Sequence, residues 1–320
     1  MLNYFLNIVF MLNIIPPQKL VDYVKCPFCY RSLTAETEYV KCQTCNKIFL
    51  IYKDIILNLI EEANLDLFAI NELIANQCYV KTNSLNLSIQ SNDIFLWKDY
   101  YSQSRKKSIQ YLSHFIKNTK NNTIFFMGSG SGKEIQYLLN FLSFKTAICI
   151  DLSLPALSLI PVRLQNKEIN LGLIASDIRN SIIIPKNIPI VFTNVLHHTQ
   201  DMHNVLEKYL TEKYQHILFI EPLDNFFISF LSAFGISKRI EYSGIKPGRL
   251  NIKLIRNMCK KYGYGISIKT LWSFPQDYYH KLFGNSIIIQ KLFFLLINLF
   301  SDITNFIKFG NVCIGYLKKK

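Results

Sequence analysis

From residue 123 onward the sequence alternates between short apolar runs and longer amphipathic segments, and this alternation limits the fold more than any other feature. Apolar runs predict strands at about 123–127 and at the segments TAICID, LGLIASD, IPIVFT and QHILFIEP. Helices are predicted between them, at about 133–142, 153–165 and 202–212. Alternating strands and helices predict a doubly wound α/β fold with a mostly parallel sheet, whose functional groups lie on loops at one edge.

The composition indicates a folded protein with an uneven charge. Half of the 320 residues are hydrophobic and 18% are charged, which excludes an intrinsically disordered chain. The formal net charge is +14, and residues 225–320 carry fifteen Lys and Arg against three acidic residues, a net charge of +12. This basic C-terminal third favours an anionic partner, either RNA or a membrane surface. A solvated lysine-rich face is the alternative.

Four cysteines near the N-terminus form the most specific motif in the chain. Residues 26–45 read CPFCYRSLTAETEYVKCQTC, in which twelve residues separate two C-x2-C pairs. The spacing predicts one structural Zn²⁺ in a closed tetrahedral site, held by Cys26, Cys29, Cys42 and Cys45. Two disulfides are the alternative, and the tight spacing without a secretory signal argues against them. We expect chelation to unfold about residues 20–60 and to leave the main domain folded.

Two further apolar segments raise the question of membrane contact. The N-terminal segment MLNYFLNIVFMLNIIPP lacks a basic start and a cleavage site, and it is too short to span a bilayer. We expect a helix packed on the rest of the protein, with an interfacial membrane helix as the alternative.

Residues 286–308 predict an amphipathic helix with a wide apolar face. We expect that face to pack against its own domain; a lid over an apolar substrate or docking on a membrane are the alternatives.

The loop after the first predicted strand identifies the kind of ligand by elimination. A dinucleotide fingerprint fails because Lys133 stands where the third glycine belongs, and a P-loop fails at Met127 and Glu134. What remains is G-x-G-x-G, formed by Gly128, Gly130 and Gly132, which lets the backbone approach a small nucleoside. Asp151 ends the second predicted strand, where a carboxylate can accept hydrogen bonds from both ribose hydroxyls. This combination favours S-adenosylmethionine.

These segments resemble the class I S-adenosylmethionine-dependent methyltransferases, in particular the type 11 group, over about residues 92–235. The segment NVCIGYLKK at 311–319 is similar to the final antiparallel strand of that fold. The resemblance implies a seven-stranded Rossmann-like sheet, a domain at 92–320 and an acceptor-cap insertion at about 225–310. Residues 18–60 resemble the zinc-ribbon module found at the head of many bacterial methyltransferases.

The resemblance also implies roles for individual residues. Gly128, Gly130 and Gly132 would line the methionine part of the cofactor, Asp151 would hold the ribose, and Asp177 would border the adenine. The loop from Asn194 to His198 would lie where the methyl group is transferred. Phe126 departs from the pattern, because the family has an acid two residues before the first glycine. This departure implies weaker cofactor binding or a degenerate relative.

His197 and His198 are the candidates for a catalytic base, because an imidazole titrates near neutral pH. We expect one of the two to contact the substrate. Trp272, Tyr278 and Tyr279 are candidates for an acceptor pocket, with core packing as the alternative.

Two classes of acceptor follow from these observations. The wide apolar face of 286–308 favours a small-molecule or lipid-linked acceptor, which is the preferred function. The zinc ribbon and the basic C-terminal third favour rRNA or tRNA instead, although the N-P-P-Y/F-type motif of base-amino methylators is missing after the fourth predicted strand. A non-catalytic relative that retains the fold is a third alternative. We expect a cytoplasmic protein without a transmembrane span, with peripheral membrane contact as the alternative.

Overall fold

The structure is a computed structural model that describes residues 12–84, 100–165, 167–226, 248–273 and 286–320. Its N-terminal part contains five short strands, which are β1 (Asn13–Ile14), β2 (Leu33–Ala35), β3 (Tyr39–Cys42), β4 (Ile48–Tyr52) and β5 (Ile56–Asn58). A 3-10 helix at Pro17–Asp22 lies between the first two. The helix predicted at the N-terminus falls mostly outside the described residues, and where it is described Asn13–Ile14 form a strand instead.

Seven further strands form the central part of the sheet. They are β6 (Thr123–Met127), β7 (Thr146–Asp151), β8 (Asn170–Ala175), β9 (Ile190–Thr193), β10 (His216–Pro222), β11 (Tyr264–Leu271) and β12 (Val312–Lys319). Their order is β8-β7-β6-β9-β10-β12-β11. Strand β12 is antiparallel to both of its neighbours, whereas the pairs among β6 to β10 are parallel. This arrangement confirms the doubly wound, mostly parallel sheet that the sequence predicts.

Helices cover both faces of the sheet. In the described residues they are α1 (Leu67–Ser84), α2 (Tyr100–Lys117), α3 (Lys133–Leu138), α4 (Leu154–Leu164), α5 (Met202–Thr211), α6 (Ile252–Tyr262) and α7 (Ile287–Phe306). Side chains alternate along a strand, so Phe125 lies in the core on one face and Phe126 in the core on the other. Side-chain caps begin α4, α5 and α6, at Ser153, Asp201 and Asn251.

The cysteine-containing hairpins are continuous with the central sheet. Strand β5 pairs in parallel with β8, and β4 pairs with β5, so the ribbon extends the sheet beyond β8. Val40 and Phe49 of the ribbon are buried in the same core as Phe125 of β6. This continuity couples the ribbon to the sheet more closely than the sequence suggests, which bears on what zinc removal would do.

The region predicted as an acceptor cap, at about 225–310, supplies parts of the main fold. Helix α6 packs on strand β11, and β11 forms one edge of the sheet. Helix α7 packs against the outer side of β11. Whether α7 covers an acceptor stays a prediction. Among the described residues, no helix is both long enough and apolar enough to cross a membrane.

The orientation of α7 differs from the prediction. Its polar residues Ser301 and Thr304 are buried, whereas Leu295 and Leu299 are more than 60% exposed. The expectation that the apolar face packs against its own domain is therefore wrong for the described part of the helix.

Hydrogen-bond donors at the end of edge strand β11 and in Trp272, which follows it, give the physical reason for this orientation. The backbone N–H of Trp272 donates to the Ser301 hydroxyl at 3.0 Å, and that of Thr270 donates to the Asn305 side chain at 2.8 Å. The Trp272 indole N–H donates to Thr304 at 3.2 Å. Donors on an edge strand need acceptors, and the polar side of α7 supplies them.

Candidate functional site

A pocket lies at the carboxyl ends of β6, β7 and β9. Its volume is about 780 Å³, including space open to solvent. Six of the eight predicted catalytic and cofactor-binding residues line it, namely Gly128, Gly130, Asp151, Asp177, Asn194 and His198. The remaining two, Gly132 and His197, do not line the pocket. The carboxyl ends of parallel strands meet at one edge of a sheet, and for this reason residues distant in sequence converge here.

The glycine loop has a backbone that ordinary residues rarely adopt. Gly128, Gly130 and Gly132 have φ of +69°, +50° and +77°, in the left-handed region that glycine enters without steric cost. A Cβ on Gly128 would lie 2.0 Å from a methyl group of Val195, so that glycine permits close packing of two loops. A Cβ on Gly130 would meet no atom within 4 Å. Gly130 therefore leaves room at the pocket for a ligand.

Asp151 ties this loop to the second strand of the sheet. Its Oδ2 accepts a hydrogen bond from the Gly130 N–H at 2.7 Å, and its Oδ1 accepts one from the Ser153 N–H at 2.8 Å. Burial raises the pKa of the carboxyl group, and the amide donors and His198 partly offset that effect. Each carboxylate oxygen can accept a second hydrogen bond. Asp151 can thus hold the loop and bind two hydroxyl groups at the same time.

Asp177 already has a strong partner in the structure. Arg179 donates to the Asp177 carboxylate at 2.7 Å and to Asp66 at 2.6 Å. The hydrogen bond from Arg179 lowers the pKa of Asp66. Arg179 lines the pocket together with Asp177, so the pocket wall here is an ion pair rather than a single acid. Nothing in the sequence pattern singles out Arg179 or Asp66.

Glu221, which is completely buried near the end of β10, organises the loop after β9. Its Oε1 accepts hydrogen bonds from the backbone N–H groups of Val195 and Leu196, both at 2.8 Å. Its Oε2 lies 2.7 Å from Nδ1 of His197. Asn194 begins the loop with φ of +53°, a conformation that Asn tolerates better than most residues. The loop is thus held by one carboxylate beneath it.

The two adjacent histidines differ in their surroundings. His197 is buried and points to Glu221, away from the pocket lining. His198 lines the pocket, and its Nδ1 lies 3.5 Å from a carboxylate oxygen of Glu72. Glu72 belongs to α1, which also supplies Phe68 to the pocket. Sequence reasoning missed this contribution, because α1 precedes the glycine loop by some fifty residues and carries no motif.

Phe126 lies in the core on the face of the sheet opposite to Phe125. It is buried, and its ring centroid lies 5.9 Å from that of Phe144 in the core. Phe126 is not among the residues that line the pocket. Phe126, which stands where the resemblance implies an acid, therefore does not fill the pocket.

Trp272, one of the predicted acceptor-pocket residues, is buried and packs against Phe300 and Phe309. This environment fits the core-packing alternative. Tyr278 and Tyr279 lie outside the described residues.

The four predicted zinc ligands converge at the ribbon. Their sulfur atoms all lie within 4.8 Å of one another, and the residues are Cys26, Cys29, Cys42 and Cys45. The Sγ atoms of Cys26 and Cys45 are 3.6 Å apart, and these cysteines are free thiols rather than disulfides. Four convergent thiols are the donor set of a closed tetrahedral zinc site. The cluster could therefore hold one Zn²⁺.

The strand order, with its single reversed strand β12, is that of the class I methyltransferase fold. No family model matches the sequence, and no match to a curated protein sequence is found.

Solved structures similar to this chain include S-adenosylhomocysteine-bound methyltransferases. One is magnesium protoporphyrin IX methyltransferase from Synechocystis PCC 6803, with 10% identity over 69% of this chain and 86% of that chain and a TM-score of 0.47. Another is the plantazolicin methyltransferase BpumL, with 14% identity over 79% of this chain and 96% of that chain and a TM-score of 0.43. The fold assignment itself rests on the strand order of this chain.

Proposed function

We propose that the protein is an S-adenosylmethionine-dependent methyltransferase acting on a small-molecule or lipid-linked acceptor. The observation that carries this proposal is the glycine loop tied to Asp151 at the edge of a class I sheet. Gly130 leaves open space where its side chain would be, and its N–H is bonded to the carboxylate that ends β7. A backbone cradle beside a carboxylate suits a nucleoside with free ribose hydroxyls.

Each part of the pocket has a proposed task. The cofactor supplies a methyl group on a sulfonium that is already activated. Asp151 would accept hydrogen bonds from the ribose hydroxyls with the lone pairs that the two backbone amides leave over. The loop that begins at Asn194 would align the acceptor, since alignment supplies much of the rate in a displacement of this kind.

His198 is the proposed base. It lines the pocket, and a carboxylate oxygen of Glu72 lies 3.5 Å from its Nδ1, where the carboxylate would orient the imidazole ring toward a substrate. A carboxylate that orients a histidine is a recurring way to prepare a base. His197 instead serves to position the loop, through Glu221.

Titration calorimetry with S-adenosylhomocysteine tests the cofactor proposal. Gly130→Val would place a side chain in the space that the ligand needs, so we expect its affinity to fall by more than about tenfold. Gly263→Val is the matched control, because Gly263 also has a positive φ, of +71°, but lies at the end of α6 outside the pocket. Absence of binding to the wild-type protein, or equal losses in both variants, would refute the proposal.

Transfer from labelled S-adenosylmethionine tests the acceptor class and the base. We expect the labelled methyl group to appear in lipid or small-molecule extracts. His198→Gln and Glu72→Gln should each strongly reduce this labelling, while the affinity of each variant for the cofactor stays unchanged. His197→Gln should instead lower stability, because His197 is buried against Glu221. Label in RNA, with binding that weakens steeply as salt rises, would favour the alternative acceptor suggested by the basic C-terminal third.

A further inference from the structure

Helix α7 carries an exposed apolar stripe that the proposed methyl-transfer site does not use. Six of its apolar side chains are each more than half exposed, namely Leu292, Leu295, Leu296, Leu299, Ile303 and Phe306. Spacings of three, four and seven residues place them along one side of the helix. A contiguous exposed apolar surface of this kind marks an interaction site more often than chance exposure does.

The outward orientation of the stripe is fixed by polar contacts on the other side of α7. Ser301, Thr304 and Asn305 accept the hydrogen bonds from Thr270 and Trp272 described above. Rotating the helix to bury its apolar side would leave these donors without acceptors, and unsatisfied buried donors are costly. The apolar stripe is therefore available to a partner.

Three cations lie on β11, on α6 or just beyond the end of α7, and β11 packs against both of these helices. They are Arg256 of α6, Lys269 of β11 and Lys308, which lies two residues beyond the end of α7. Partial burial, together with Lys269 and Arg256, lowers the pKa of Lys308. Within the described ranges, none of the three forms an ion pair with a carboxylate. Such a cluster is stabilised by an anionic partner.

We propose that α7 docks the protein onto the surface of an anionic lipid bilayer. Its apolar stripe would enter the interfacial region, while Arg256, Lys269 and Lys308 would contact the phosphate headgroups. An apolar helix face beside basic residues is the arrangement that binds such surfaces, and binding depends on both components. This role goes beyond the proposed methyl transfer and does not depend on it.

Charge complementarity favours a bilayer over a second copy of this chain. The protein has a formal net charge of +14, and a symmetric dimer through α7 would place like charges near each other. An anionic membrane surface attracts the same cations.

Vesicle flotation with the full-length protein tests this proposal. We expect binding to phosphatidylcholine vesicles containing about one third phosphatidylglycerol, and weaker binding to phosphatidylcholine alone or at high salt. Leu295→Glu with Leu299→Glu should lower binding more than about tenfold, because two charges would enter the apolar face. The matched control is Ile48→Glu with Leu50→Glu, which changes two exposed apolar residues of β4 beyond the other edge of the seven-stranded sheet. That control should bind as the wild type does.

A second pair of variants tests the cations. Arg256→Gln with Lys308→Gln should weaken binding by about fivefold per charge. Lys41→Gln with Lys145→Gln removes one cation on strand β3 and one directly before β7, and should change binding little. Unchanged circular dichroism and an unchanged midpoint of urea unfolding would show that each variant is folded.

Three results would overturn the proposal. The first is no binding of the wild-type protein to anionic vesicles, and the second is equal losses in the test and control variants. The third is a concentration-dependent dimer that Leu295→Glu with Leu299→Glu dissociates, without any vesicle binding, since α7 would then be a contact between two copies. None of these measurements involves methyl transfer, so failure here is distinct from failure of the proposed function.

Discussion

Replacing Glu221 by alanine should destabilise the protein by about 3–5 kcal/mol, the usual cost of removing one partner from a buried charged network. The carboxylate accepts from the N–H groups of Val195 and Leu196 at 2.8 Å and lies 2.7 Å from Nδ1 of His197. A hydrogen bond to a charged group contributes about 1.5–3 kcal/mol, and three such bonds to one residue are not additive. Glu221→Gln keeps one acceptor oxygen, so we expect a smaller loss of about 1–2 kcal/mol.

Urea unfolding of both variants measures these losses of stability, provided that the free energy of unfolding falls with urea concentration at the wild-type slope. Glu212→Ala is the matched control, because Glu212 pairs with Lys186 at the surface and should cost less than about 1 kcal/mol. The loop that Glu221 holds carries Asn194 and His198 of the pocket. Glu221→Gln should therefore also weaken S-adenosylhomocysteine binding, whereas Glu212→Ala should not.

If the free energy of unfolding of Glu221→Ala lies within about 1 kcal/mol of the wild-type value, the proposed role of Glu221 is refuted. Removing the carboxylate from a buried hydrogen-bond network should lower stability by more than that. If the alanine variant does not fold, the glutamine variant decides, and unchanged stability together with unchanged cofactor affinity would refute the proposed anchoring of the loop.

Three further predictions concern zinc, packing and pH. Chelation of zinc should unfold the ribbon and also speed amide hydrogen exchange in β8, because β5 is hydrogen-bonded to β8. Unchanged exchange in β8 would contradict this coupling. Gly315→Ala should lower the free energy of unfolding by about 1–3 kcal/mol, because the added Cβ would lie 2.1 Å from the Phe219 ring. Gly265→Ala should lower it less in the same urea titration, because its Cβ would lie 3.7 Å from the nearest atom. Burial lowers the pKa of Lys208 to about 8, so the native state binds the Lys208 proton less tightly than the unfolded state does. The free energy of unfolding of the wild type should therefore rise by about 2–3 kcal/mol between pH 8 and 10.5, relative to that of Lys208→Met. Parallel pH curves for the wild type and Lys208→Met would contradict that burial.

The glycine loop and the cysteine cluster could be predicted from sequence because each depends on local spacing. Three glycines at alternate positions can form a left-handed turn wherever they stand, and Asp151 ends a strand whose carboxyl end must lie beside that turn in a parallel sheet. The same holds for the cysteines, since each C-x2-C pair forms its own turn. The structure confirms the convergence of these residues.

The remainder of the pocket depends on contacts that spacing does not encode. Glu72 reaches His198 from a helix that precedes the sheet, and Arg179 pairs with Asp177 and Asp66 across the pocket wall. The choice between the two histidines follows from these partners, because adjacent residues of identical type have identical local patterns.

Helix α7 shows which properties follow from the local sequence and which depend on the rest of the fold. Its sequence determined that the segment is helical and amphipathic, because periodicity is a property of the chain. Which side faces inward is set by the end of edge strand β11, where the backbone N–H groups of Thr270 and Trp272 donate to Asn305 and Ser301. Burial of an apolar face is favourable only when no unsatisfied hydrogen bonds result, and that balance depends on the neighbouring element rather than on the helix.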